Sequence, residues 1–206
     1  MSDGIGEGAA RRMLADQVRA LAAATLLTTA GVDALEEALA LARTATSRLA
    51  GSVRSSRYEG VPGLTLDSDT NEEIWETHAA FGRANPLAPP VVAEEGAGRV
   101  DATVTFGDAY EGGPGSAYGG SIAAAFDGML GRAVISSGRL GVTRSLQVWY
   151  LRPTPLRTPL RVEAVVGEVK GRDVEVAGRM WAGDKLTSEA KGMFTCVDDD
   201  RYRLRS

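Results

Sequence analysis

Cysteine and histidine are almost absent from this chain, with Cys196 and His78 the sole examples among 206 residues. A lone thiol cannot close an internal disulfide, and no Cys/His cluster at metal-ligand spacing can form. The sequence therefore predicts a reducing, cytoplasmic setting and a site that needs no metal and no cofactor. The run Asp198-Asp199-Asp200 reads as a solvated tail rather than a cation site. Basic runs are missing as well. A formal net charge of -4 and a pI near 5.2 leave no cationic stripe to neutralise phosphates, so nucleic acid is not an expected partner. No apolar stretch reaches the roughly 20 residues that span a bilayer. Arg11-Arg12 ahead of the apolar stretch Ala20 to Ala30 has the outline of a twin-arginine export signal. Asp16, Gln17 and Arg19 interrupt it and helical periodicity continues past it, which favours an ordinary helix.

With 44% hydrophobic residues the chain can bury one full core and carry an extension besides. Residues 1–50 form a helical extension in this reading. Leu14, Val18 and Leu21 recur at helical spacing, and so do Val32, Leu35, Leu39 and Ala42 after a break at Gly31. The polar positions mix acids with bases, so the two helices are expected to pack on the main domain or on a neighbouring subunit rather than on a membrane. Residues 51–98 read as an irregular connector, ending in Asn85-Pro86-Leu87-Ala88-Pro89-Pro90. A short helix is expected around Glu72 to Phe81, with Trp75, His78 and Phe81 on one apolar side. The main domain covers 99–197, and 198–206 is the tail.

In that domain the period changes. Val100, Ala102, Val104 and Phe106 alternate with Asp101, Thr103 and Thr105, as in a half-buried strand. A glycine-rich loop from Gly107 to Gly120 leads into a helix that runs to about Ser137 and stops at Gly138. Four strand-like runs follow: Val142 to Leu151, Leu160 to Val169, Arg172 to Ala182 and Lys185 to Val197. Lys170-Gly171 and Ala182-Gly183-Asp184 supply tight turns, so the last three strands are expected to form an antiparallel meander. The helix carries Ile122, Ala123, Ala124, Ala125, Phe126, Met129, Leu130, Ala133 and Val134, with almost no polar face, and must be surrounded. One strand, a buried helix and four antiparallel strands describe an α+β hotdog fold, a sheet wrapped around a central helix.

The text YEGGPGSAYGG at 110–120, with an acid at Asp127 seven residues past the second glycine, resembles the PaaI-type hotdog thioesterases. Their motif runs Tyr-Glu-Gly-x-Pro-Gly-x-x-His-Gly-Gly. VTRSLQVWYLRPTPL from Val142 to Leu156 is similar to that family's strand ending in Tyr-x-Arg-Pro-x-Pro-Leu. The likeness covers about residues 85–197. It implies hydrolysis of an acyl-CoA thioester, with Asp127 as nucleophile or general base, Thr143 as a hydroxyl that helps place the attacking water, and sites shared between subunits. Tyr118 departs from the pattern by standing where the motif has histidine.

Thioester hydrolysis needs a donor for the carbonyl oxygen as it gains charge and a group that activates water or attacks directly. First-turn amides of the helix have no intrahelical acceptor and sit at its positive end, so the Gly120 N–H is a candidate donor, and glycine there lets substrate approach the backbone. Gly119-Gly120 also reads as a plain loop-to-helix joint. Asp127 is the only acid on an apolar helix, fitting either a base or a structural aspartate bonded to nearby backbone or to Thr143. Seven residues of helix rise about 10 Å, so Gly120 and Asp127 of one chain cannot both touch one carbonyl. A second chain must contribute, which predicts a dimer at least, with a tetramer also compatible. Tyr118, Gly119 and Arg152 are the candidate substrate-binding residues. Tyr118 could equally pack its loop, and Arg152 could equally be a surface arginine rather than a partner for a coenzyme A phosphate. A non-catalytic acyl-CoA or acyl-ligand binding protein is the alternative, favoured by the missing motif histidine.

Overall fold

The computed structural model describes residues 6–59 and 73–197. The tail with its acidic run, and Glu72 where the short helix was expected to begin, lie outside the described residues. Helices α1 (Glu7–Leu27) and α2 (Val32–Ala50) come first, separated at Gly31 as the periodicity predicts. α1 buries Ala15 alone and α2 buries no residue. What fastens α1 is Arg19. Its guanidinium donates to the carbonyls of Asn85 (2.6 Å), Arg83 (2.9 Å) and Ala88 (3.2 Å), and to the Asp16 carboxylate (2.7 Å).

The connector 51–98 is not irregular throughout. Its last stretch forms strand β1 (Val91–Gly96), which pairs antiparallel with β2 (Arg99–Val104) through a turn containing Gly98 at φ +75°. The sheet thus begins at 91 rather than 99. β1 escapes the periodicity because it is an edge strand: only Val91 is buried, and prolines crowd its approach. Helix is present at 73–76 and ends before the expected Phe81, while its start lies outside the described residues, and the three rings do gather. The His78 and Phe81 rings stack 4.0 Å apart, and Trp75 lies 5.8 Å from Phe81.

The main helix, α3 (Gly119–Ser136), ends where the sequence places its stop: Gly138 has φ +80° and its N–H reaches the Ile135 carbonyl at 2.9 Å. Strands β3 (Gly141–Tyr150), β4 (Leu160–Lys170), β5 (Asp173–Ala182) and β6 (Lys185–Cys196) follow, and β4, β5 and β6 form the expected meander. The six strands make one antiparallel sheet in the order β1-β2-β4-β5-β6-β3, which curls around α3 so that the helix touches every strand. Phe126, Met129, Leu130, Ala133 and Val134 of α3 meet Val100, Val162, Val176, Met180 and Phe194 of the sheet in one core. Gly178 on β5 makes room for this: a Cβ there would stand 2.9 Å from the Phe126 ring and 3.0 Å from a Leu130 methyl. The other side of α3 is closed by Phe81, whose ring occupies the space a Cβ at Gly128 would need. This is the hotdog arrangement.

Candidate active site

The loop before α3 is held by its own glutamate and by backbone bridges. Glu111 Oε1 accepts the Gly115 N–H at 2.6 Å, the Ser116 N–H donates to the Gly113 carbonyl, and the Gly112 N–H returns to Ser116. Tyr118 closes the loop. Its N–H donates to the Tyr110 carbonyl at 2.7 Å, and its own carbonyl accepts the N–H groups of Ser121 and Ile122. Tyr118 is the N-cap of α3, which leaves the amides of Gly119 and Gly120 in the first turn with no backbone acceptor among the described residues. Neither glycine has a positive φ. Tyr110, behind the loop, donates its hydroxyl to the Leu87 carbonyl at 3.2 Å, and burial raises its pKa to about 12.

The Tyr118 side chain is 60% exposed, so it does not pack the loop into the core. Its ring instead lies over Gly120, where a Cβ would fall 2.4 Å from Cε1.

Asp127 sits half-buried on α3, facing β3, where the Thr143 hydroxyl donates to its Oδ1 at 2.8 Å. Strict alternation along β3 would not place Thr143 there. Leu146 and Val148 face the core, so Arg144 and Val142 should share that face and Thr143 should turn away. A bulge intervenes: the register with β6 slips between Thr143 and Ser145, which sets Thr143 opposite the core residue Phe194. Paired residues share a face, so the extra residue, Arg144, is what aims Thr143 at Asp127.

A pocket of about 350 Å³ opens beside the helix start, lined by Gly119, Ile122, Tyr150, Arg152 and Thr154 among others. The structure thus brings Gly119 and Arg152 to one cavity. Tyr118, Gly120, Asp127 and Thr143 are not among its lining residues. Arg152 is exposed, and its guanidinium donates to the Leu186 carbonyl at 2.8 Å. Two lining residues received no role from the sequence. Tyr150 donates its hydroxyl to the Gly119 carbonyl at 2.8 Å, and Thr154 is 2% exposed with a hydroxyl that has no partner among the described residues. Tyr150 stands in the Tyr-x-Arg-Pro motif, which was the available signal; Thr154 carried none.

His78 forms no hydrogen bond to these groups and packs on Phe81, the ring that abuts Gly128 of α3. Its Nδ1 accepts the Ala80 N–H at 3.1 Å. Burial, with Arg57 and Arg132 nearby, lowers its pKa to about 4, so the ring is neutral at pH 7.

Fold and loop together define a hotdog domain of the thioesterase kind. The family model described as Thioesterase superfamily matches residues 114–189. A crystal structure of a thioesterase superfamily protein superposes with a TM-score of 0.78 at 30% identity, covering 93% of each chain and so including the helical extension. The chain belongs to the thioesterase superfamily, the superfamily of the PaaI-type resemblance in its motifs. The mouse (Mus musculus) acyl-coenzyme A thioesterase THEM4 is 30% identical over 93 residues, which span 44% of this chain and 40% of the mouse protein, less than half the length of that relative. A hypothetical thioesterase protein of Streptococcus pneumoniae TIGR4, solved with coenzyme A, shares the fold at 20% identity with a TM-score of 0.50, covering 52% of this chain and 88% of its own. No helix among the described residues is long and apolar enough to cross a membrane.

Proposed function

We propose that this chain is a cytoplasmic PaaI-type thioesterase that hydrolyses an acyl-CoA to the free acid and CoA, using Asp127 of one protomer and the Gly120 amide of another. The observation that carries the reading is the Thr143–Asp127 hydrogen bond at 2.8 Å on an otherwise apolar helix, in a chain of this superfamily. The names of the mouse relative and of the CoA-bound streptococcal thioesterase support the substrate class.

A carboxylate that accepts from Thr143 through one oxygen keeps the other free. In the general-base form, water attacks the thioester carbonyl carbon while Asp127 takes its proton. The Gly120 N–H holds the oxyanion, the C–S bond breaks, and the proton passes to the departing thiolate. Arg152 and Tyr118 flank the helix start and contact the CoA moiety in this reading, and Gly119 lets the chain of the ligand pass close to the backbone. In the nucleophilic form, Asp127 attacks the carbonyl, the C–S bond of the tetrahedral adduct breaks to release CoA thiolate and leave a mixed anhydride on Asp127, and water then cleaves that anhydride to the free acid and the Asp127 carboxylate. A single turnover in ¹⁸O-water bears on the choice: label in the Asp127 carboxylate identifies the nucleophilic form with water attacking the Asp127 carbonyl of the anhydride, whereas label in the released acid alone fits the general-base form or attack on the acyl carbonyl. No further cofactor enters either form.

The unpaired edge of β3 carries Val142, Trp149 and Tyr150, exposed by 41%, 41% and 54%, and is the surface on which a second protomer would complete the site. The test is a thiol-release screen over short, long and aryl acyl-CoAs. Wild type is expected to turn over at least one of them, and Asp127→Asn to lose about 10²- to 10⁴-fold in kcat while keeping its melting temperature. Wild-type rates in Asp127→Asn would make that residue structural. Binding of acyl-CoA without turnover in the wild type would leave an acyl-ligand binding protein, the reading that Tyr118 in place of histidine favours.

A further inference from the structure

We infer that Tyr150 is a positioning residue for the oxyanion donor, acting through the Gly119–Gly120 peptide; this rests on the reading of the site given under Proposed function. A trans peptide is a rigid plane in which the carbonyl and the following N–H point in opposite directions. The Tyr150 hydroxyl donates to the Gly119 carbonyl at 2.8 Å, and that carbonyl belongs to the same plane as the Gly120 N–H. Fixing one end of the plane therefore aims the other. The same bond withdraws electron density from the amide and makes its N–H a stronger donor.

Three features show that the contact is built into the fold. Tyr150 is the last residue of β3 and pairs with Ser188 of β6, so its backbone belongs to the sheet rather than to a free loop. The next two residues, Leu151 and Arg152, both donate N–H groups to the Thr187 carbonyl, which pins the turn that follows. Residue 119 also has to be small: a Cβ there would lie 3.2 Å from Tyr150 Cζ and 3.3 Å from Oη, tighter than ordinary contact. Glycine at 119 is thus what lets the phenol reach the peptide. The 350 Å³ pocket opens at this joint, so the bond sits at the wall that substrate would meet.

Tyr150→Phe keeps the ring and removes the donor. Its kcat is expected to fall about tenfold, the scale of one neutral hydrogen bond, while KM stays within about twofold. Gly119→Ala keeps every amide but pushes the phenol away, and should reproduce the same loss. Placed in a Gly120→Pro background, Tyr150→Phe should add almost nothing, because the N–H through which it acts is already gone. A residue that only stabilised the fold would lower the melting temperature and multiply its effect onto the Gly120→Pro loss. Wild-type kcat in Tyr150→Phe, or fully multiplicative losses, would overturn the inference. Asp127→Asn measured alongside keeps the two failures apart. If Asp127→Asn is inactive while Tyr150→Phe is fully active, only the role of Tyr150 falls. If wild type hydrolyses no thioester, or Asp127→Asn is active, the site reading falls and takes this inference with it.

Discussion

Gly120 lies within the first turn of α3 without a positive φ, and that backbone admits proline, whose missing N–H had no intrahelical partner to lose. Gly120→Pro is therefore expected to cost about 10² to 10³ in kcat, the scale of a deleted oxyanion donor, with a small change in melting temperature. The structure adds a condition to the control. Any Cβ at 120 displaces the Tyr118 ring, which stands 2.4 Å from that position, so Gly120→Ala measures ring displacement with the amide kept. Its kcat should stay well above that of the proline variant. Equal rates in the two would move the donor to the Gly119 amide or elsewhere in the loop. Tyr118 itself presents an exposed phenol, so Tyr118→Phe is expected to change kcat by no more than one neutral hydrogen bond, about 0.5 to 1.5 kcal/mol.

Two elements decide how these residues meet, and they differ in how plainly the sequence announces them. α3 was legible in full, because a stretch from Ile122 to Val134 with almost no polar face, interrupted by Asp127 and Arg132 alone, belongs to a surrounded helix. The bulge in β3 was not, since one extra residue leaves composition unchanged and reverses which side chains face inward. Thr143 was reached by resemblance, whereas its orientation depends on Arg144 as a spacer. The segment from Trp75 to Phe81 is a third element with a measurable signature. His78, with its pKa lowered from 6.5 to about 4, is neutral in the fold and takes up a proton more readily when unfolded. Its contribution is fully present above pH 6.5 and declines as the pH falls through 6.5 toward 4. Over that window the melting temperature of wild type should drop more steeply than that of His78→Asn, whose Oδ1 can still accept the Ala80 N–H. Parallel slopes would show that His78 is not desolvated by this packing.

At the scale of the molecule, five strands and the central helix were recognisable in the sequence, with the last three strands as a meander; the order of the sheet was not, because it depends on long-range pairing that leaves no local pattern. β1 was missed, because an edge strand with one buried residue has no period to read. The pairing of protomers is the larger question, and it has a direct assay. Mixing Asp127→Asn chains with Gly120→Pro chains places both defects in one site of a heterodimer and neither in the other. Part of the activity should return in verified heterodimers, and no recovery would exclude a shared site.

The extension α1 meets the rest of the molecule through polar contacts, the carbonyls bound by Arg19 and the ion pairs Arg12–Glu76 (3.4 Å) and Arg11–Glu73 (3.9 Å), rather than through a core. Arg19 takes the carbonyls of Arg83, Asn85 and Ala88, while Tyr110 takes that of Leu87, so four carbonyls of one short stretch are bound by two side chains from different elements. Surface connectors ordinarily tolerate insertions and deletions. This one has a fixed length. Adding or removing a residue between Arg83 and Ala88 would pull either Arg19 or Tyr110 off its acceptors, so a proline-rich stretch with the composition of a spacer is held to the indel tolerance of a strand.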